Sequence, residues 1–226
     1  MFRTTMTAGI VRVLFEPLHP IKEQTLLTWR MRAFRKLPGL IAVDILTCTD
    51  GPDEGKPYKY ENTYHLSDVN AFIADQQSLI PSLLSRSEIP IKHADWQVYE
   101  RFAYSKRDDI EPKIRRPGTV VVAVGMSPND TPENIADFHA WYNQEHIPLL
   151  RVVPGWREGS RYVRVAEFGD RREFAAPFLA VHQYNEENGL GGDQWRRSIE
   201  SEWTQKVLKN LSAPNHRRVW RVEVEE

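Results

Sequence analysis

Trp141-Tyr142-Asn143-Gln144-Glu145-His146-Ile147-Pro148-Leu149-Leu150, running on to Val153-Pro154-Gly155-Trp156, ends a segment whose apolar residues return at helical spacing. Stepping 3.6 residues per turn from Ile135 puts Phe138, Tyr142 and Leu149 on one face. His146 falls about 20° from Ile135 on that face, so a titratable ring points where the pattern wants hydrocarbon. Pro148 has no backbone donor and disfavours helical geometry at Ile147, so a break or bend is expected there. Imidazole titrates near physiological pH and can give or take a proton. A histidine on an apolar face is also commonly a core residue bonded to a carbonyl, and the residues alone leave both readings open.

Outward from this stretch, Thr131 is a cap and Pro132 suits the first helical position. A β-branched strand over 119–124 precedes the helix, and strands over 161–166 and 173–183 follow it, parted by a turn at Phe168-Gly169-Asp170. Trp195, Ile199, Trp203 and Val207 then step along one long helix expected over 192–211, and a strand over 218–224 closes the chain. The first half runs through the same order. It has a strand over 10–15, a helix over 21–36 and a strand over 40–47. A loop over 49–55, a strand over 58–65, a helix from Ser67-Asp68 to about residue 85, and a strand over 96–104 complete it. Leu37-Pro38-Gly39 closes the first helix as Val153-Pro154-Gly155 closes its counterpart. The charged, proline-broken segment 106–118 reads as a linker between residues 1–105 and 119–226. The expected fold is α+β: two tandem ferredoxin-like βαββαβ repeats, their antiparallel sheets packed face to face as an α/β barrel with a cavity where they meet.

Composition narrows the function. A chain of 226 residues buries a sizeable core without staples. Its net charge of -1 gives no support for nucleic acid or an anionic membrane as a partner. One cysteine, Cys48, excludes an internal disulfide and a cysteine-based zinc site. No segment has the length of a signal peptide core or a membrane span, so a cytoplasmic location is expected.

The pattern Trp-Tyr-x-x-Glu-His-Ile-Pro-Leu-Leu, followed by Val-Pro-Gly-Trp and an Arg-Tyr strand, resembles EthD-like members of the dimeric α/β-barrel superfamily, most of all fungal tandem members. The motif covers about residues 138–162; elsewhere only the element order agrees. The resemblance implies a buried pocket near the helix histidine. It also implies chemistry without a cofactor on polyketide-like or other polycyclic molecules, of cyclase, isomerase, dehydratase or decarboxylase type in secondary metabolism. His146 stands at the motif's histidine, Tyr142 and Glu145 at its aromatic and acidic positions. The first half departs from it: Trp29 matches Trp141, but about four residues, including the His, are missing before Leu37.

His146 is therefore the expected proton carrier, with Tyr142 or Glu145 orienting it or bonding a substrate oxygen. Trp156, Arg157, Arg161 and Tyr162 could line the pocket, although alternation does not say which parity faces inward. Asp44 sits among apolar strand residues and could share the cavity. His182 ends a strand, with His65 in the equivalent first-half place, and Trp29 joins the substrate-binding candidates. The expected partner is an apolar or aromatic small molecule, and the expected assembly a pseudo-dimeric monomer or a homodimer. No metal set is expected: His139, Tyr142 and His146 form a stripe without a zinc spacing or a completing carboxylate. Two alternatives remain, a haem-binding barrel, since some barrel relatives bind haem, and a non-catalytic ligand-binding or stress protein.

Overall fold

A computed structural model describes residues 7–51, 56, 58–85, 87–109, 117–169 and 175–225. Most of the expected linker (110–116), part of the loop before residue 56, and the turn and strand start at 170–174 lie outside the described residues.

The first repeat comprises β1 (Gly9–Pro17), α1 (Glu23–Arg32), β2 (Leu40–Cys48), β3 (Tyr60–Leu66), α2 (Val69–Ser85) and β4 (Ile91–Lys106). The second has β5 (Val120–Pro128), α3 (Pro132–Trp141), a π-helical turn (Tyr142–His146), α4 (Ile147–Arg151), β6 (Trp156–Phe168) and β7 (Phe178–Tyr184). It ends with α5 (Asp193–Glu200), α6 (Glu202–Lys209) and β8 (Leu211–Glu225). The strands close into one barrel in the order β1-β3-β2-β8-β5-β7-β6-β4. Each repeat contributes four neighbouring strands, and the two sets are hydrogen-bonded antiparallel at both seams, β2 to β8 and β4 to β6. Closure leaves no free edge strand in the ring.

Alternation fixes the layers. On β1, Val11, Val13 and Phe15 point outward into a core with Leu26, Trp29 and Phe72 of the helices. Ile10 and Leu14 point inward, where they meet Leu46, Tyr99, Val121, Tyr162, Leu179 and Trp220. The same strands bring polar groups inside. Arg12 donates to Glu61 at 2.8 and 2.6 Å and to Gln97 at 3.0 Å. Both repeats leave their first helical segment through a glycine in the left-handed region, Gly39 (φ 70°) and Gly155 (φ 76°). A Cβ at Gly155 would come within 2.7 Å of the Glu187 carbonyl oxygen, so glycine is required by space as well as by φ.

Three expectations change. The barrel interior is filled: its void, lined by Arg12, Asp44, Glu61, His65 and Gln183 among others, is about 20 Å³, room for about one water. A substrate chamber between the two sheets is therefore absent among the described residues, because large side chains from both repeats meet there. The long helix expected over 192–211 is two helices. Ser201 is extended (ψ 152°), and its side chain caps α6 by accepting from Thr204 N. Finally, the interruption expected at Pro148 is a wide turn rather than an end, as described next.

Candidate active site

Thr131 caps α3 by accepting from Asn134 N, and Pro132 occupies the first turn. At the motif the helix widens: Ile147 N bonds to Tyr142 O, five residues back. A regular turn would aim the Pro148 ring at the carbonyl of Gln144. One residue of extra width relieves that clash and lets the helix run on to Arg151. The insertion also advances the phase, so Leu150 is buried where Leu149 was expected.

The wide turn fixes His146 from two sides. Its ring stacks on Trp141 with centroids 4.3 Å apart and meets Tyr142 edge-on at 5.3 Å. Its Nδ1 lies 3.0 Å from the Ser198 carbonyl oxygen, which can only accept, so Nδ1 carries the proton. No hydrogen bond engages Nε2 among the described residues. The Ser198 carbonyl belongs to the α5–α6 corner, which the motif grips at two further points. Ser201 Oγ donates to Glu145 at 2.6 Å, and Trp141 Nε1 donates to Thr204 Oγ1 at 3.0 Å. Glu145 is thus held by the corner that aligns His146 rather than by the imidazole itself. Tyr142 is buried, with its hydroxyl 3.5 Å from the Met126 sulfur. Burial pushes its phenol well above the ordinary range.

His182 of β7 faces the same layer, its ring centroid 6.3 Å from that of His146. Trp156 Nε1–H points at His182 Nδ1 across 3.5 Å. An indole only donates, so the proton of His182 sits on Nε2, a buried group without a partner among the described residues. The imidazole packs against Gly159, where a Cβ would come within 2.7 Å of Nδ1. Burial pushes His146 down to about 4 and His182 down to about 3, with the charge of Arg161 adding to both and His146 adding to His182. Both rings are neutral at physiological pH.

Arg161 completes the group. It is 4% exposed, with its guanidinium 4.1 Å above the Tyr142 ring and 4.9 Å from that of Phe102. It donates to Asn143 Oδ1 at 3.0 Å and to His139 Nδ1 at 2.5 Å, both neutral acceptors. Beside it opens a cleft of about 220 Å³ between the helix (Asn143, Ile147, Pro148, Arg151) and the strands (Ala103, Tyr104, Ser105, Gly159, Arg161). The cleft lies over the β4–β6 seam, so the first repeat supplies one wall.

The candidates from sequence divide across the sheet. A register shift between Trp156 and Glu158 puts Trp156 on the outer side with Arg161, against the parity expected from alternation. Tyr162 turns inward into the barrel core. Asp44 also faces the interior void and binds His65 at 2.8 Å, on the other side of the sheet from His146. Arg157 bonds Asn185 at 2.9 Å away from the cleft. Trp29 packs between Phe15 and Phe34 in the first repeat.

Strand register makes Tyr64, not His65, the counterpart of His182, and Ile45 that of Arg161. Linked to Tyr64 through Asn62 is Arg30, next to Trp29 as Tyr142 is next to Trp141. Its guanidinium donates to Asn62, Thr47 and the carbonyls of Leu46 and Glu61 at 2.5–3.1 Å. The first repeat therefore has a hydrogen-bonded tyrosine, with a saturated arginine near it, where the second has His182. Asn143, Gly159 and the β4 wall carried no sequence signal of their own. His139, noticed only as a weak metal candidate, is the acceptor that helps fix Arg161.

Among the described residues no three His, Cys, Asp or Glu side chains gather as a metal set, and no helix is long and apolar enough to cross a membrane. Haem does not fit. His146 Nε2 is suited to an axial bond, but His146 does not line the neighbouring cleft, whose volume of about 220 Å³ is itself below the ~300–1,000 Å³ usual for cofactor pockets.

No family model and no curated protein sequence matches the chain. Solved structures do. An anthrone oxidase-like protein aligns over 99% of this chain and 94% of its own at 12% identity, with a TM-score of 0.61. A Fusobacterium nucleatum protein with a provisional monooxygenase assignment aligns over 99% and 95% at 12% identity, TM-score 0.57. A chlorite dismutase mutant from Candidatus Nitrospira defluvii aligns over 95% and 92% at 11% identity, TM-score 0.54. The chain thus shares the fold of these structures, two ferredoxin-like repeats whose eight strands close in one ring.

Proposed function

We propose that the protein is an enzyme of EthD-like type that moves a proton on an apolar or aromatic small molecule without a cofactor, as a cyclase, isomerase, dehydratase or decarboxylase does. One observation carries this reading: His146 has its proton fixed on Nδ1 by Ser198, leaving a neutral Nε2 with no partner in a desolvated layer. In this reading His146 is the base. His182, 2% exposed with its Nε2–H unpartnered among the described residues, packs beside that ring and keeps a second neutral imidazole in the layer. Glu145 and Tyr142 act as positioning residues, the first through the α5–α6 corner and the second as the wall against which ring and guanidinium pack. Trp156 holds the tautomer of His182.

Ring-opening of 5-nitrobenzisoxazole tests this directly, since it needs only a desolvated base and gives a coloured product. Activity is expected to rise as pH passes through about 4 and then stay level. His146→Gln should lower it by about 10²–10⁴-fold, with the circular dichroism spectrum unchanged. Equal rates for the two proteins would dispose of the base assignment.

A further inference from the structure

Arg161 is a buried cation whose two hydrogen-bond partners, Asn143 and His139, are both neutral. Two carboxylates on neighbouring elements are held elsewhere: Glu145 by Ser201 at 2.6 Å and Glu158 by the Tyr104 hydroxyl at 2.8 Å. Taking a guanidinium out of water is costly unless a counter-charge or a full set of acceptors replaces the solvent. Arg30 in the first repeat has such a set, four oxygen acceptors around one guanidinium. Arg161 has two acceptors, faces stacked on rings, and an open cleft beside it. Arg151, at the cleft wall, adds a second positive charge, its only ion pair among the described residues being a solvent-exposed one at 3.3 Å to Asp108.

We infer that the cleft takes an aromatic carboxylate, its carboxylate on the free edge of Arg161 and its ring against Ile147, Pro148 and Ala103. Size sets the scale. A dry cavity of about 150 Å³ accepts benzene, so about 220 Å³ holds one substituted ring or two fused ones, not the larger polycycles that the motif resemblance suggested. A planar guanidinium favours a carboxylate, which meets it with two parallel hydrogen bonds. The inference rests on the proposed acid–base site, because it names what that site would receive: an acid whose ring edge meets Ile147 and Gly159, the lining residues that adjoin His146 and His182.

The test uses benzoate and the isosteric, uncharged benzamide as probes, each titrated into the whole protein and followed by tryptophan fluorescence, with Trp141 and Trp156 flanking the two histidines. Benzoate should bind at least tenfold more tightly than benzamide at low salt. Arg161→Met should erase the difference while leaving benzamide binding within twofold. Where that variant does not fold, the imidazole signals of the unmodified protein decide. Benzoate neutralises a charge that depresses His146, so its titration midpoint should rise on saturation, and benzamide should leave it in place. Equal binding of the two probes, or a midpoint that benzoate does not move, overturns the inference. His146→Gln separates it from the acid–base reading, since that variant should lose turnover of 5-nitrobenzisoxazole and keep benzoate binding. A variant that retains turnover sinks the base assignment alone, and a protein blind to carboxylate sinks this inference alone.

Discussion

Replacing His182 by Asn, a polar residue that does not titrate, should make the protein less sensitive to acid by a calculable amount. Both imidazoles are held below the unfolded value of 6.5, His146 at about 4 and His182 at about 3. Above pH 6.5 folded and unfolded chains are alike in charge at these sites, and the depressed values cost nothing. As pH falls below 6.5 the unfolded chain binds protons that the folded chain refuses, so stability drops until each folded group titrates. Between pH 7 and pH 5 each histidine alone removes about 2 kcal/mol. The native protein should then lose about 4 kcal/mol from the pair over that interval, a large share of the ~5–15 kcal/mol typical of a folded chain. His182→Asn should lose about half as much. Urea unfolding at pH 7, 6 and 5 measures it, in a window where ordinary carboxylates have scarcely begun to protonate. Parallel stability curves for the two proteins would show that His182 is not held neutral in the fold.

Gly159→Ala should drive a methyl group into the His182 ring, which lies 2.7 Å from where Cβ must go. A loss of about 1–3 kcal/mol is expected from overpacking, with proton abstraction falling alongside, measured by thermal melting and the benzisoxazole assay. Inside the barrel, Glu61→Gln leaves Arg12 buried without its carboxylate, and denaturant unfolding should report a loss of about 3–5 kcal/mol. A change below 1 kcal/mol there would mean that Gln97 suffices to hold the guanidinium.

Much of the architecture was legible because the two halves repeat the same chemistry. Leu37-Pro38-Gly39 and Val153-Pro154-Gly155 both need a glycine at positive φ, and strands such as β1 alternate cleanly between two buried layers. His146, Arg161 and His182 were also visible as polar residues in apolar surroundings. What the pattern could not reveal was the side of the sheet. A single register shift after Trp156 reverses its facing, and Asp44 is separated from His146 by the sheet although both sit among apolar neighbours. The wide helical turn was half legible: Pro148 announced an irregularity, but whether a helix stops or widens depends on the packing that holds its next turn, here Leu150 against Val153, Trp156 and Tyr184. The cleft was not legible at all, since its outer wall comes from β4, about forty residues upstream of the motif and joined to it only by the pairing of β4 with β6.

Everything proposed for the site depends on His146 presenting a bare, neutral Nε2. Long-range proton–nitrogen correlation NMR of the imidazoles at pH 6 reads both the tautomer and the charge. The expected result is a neutral ring protonated at Nδ1 that begins to charge only near pH 4. A ring protonated at Nε2, or one titrating at the ordinary 6.5, would contradict it.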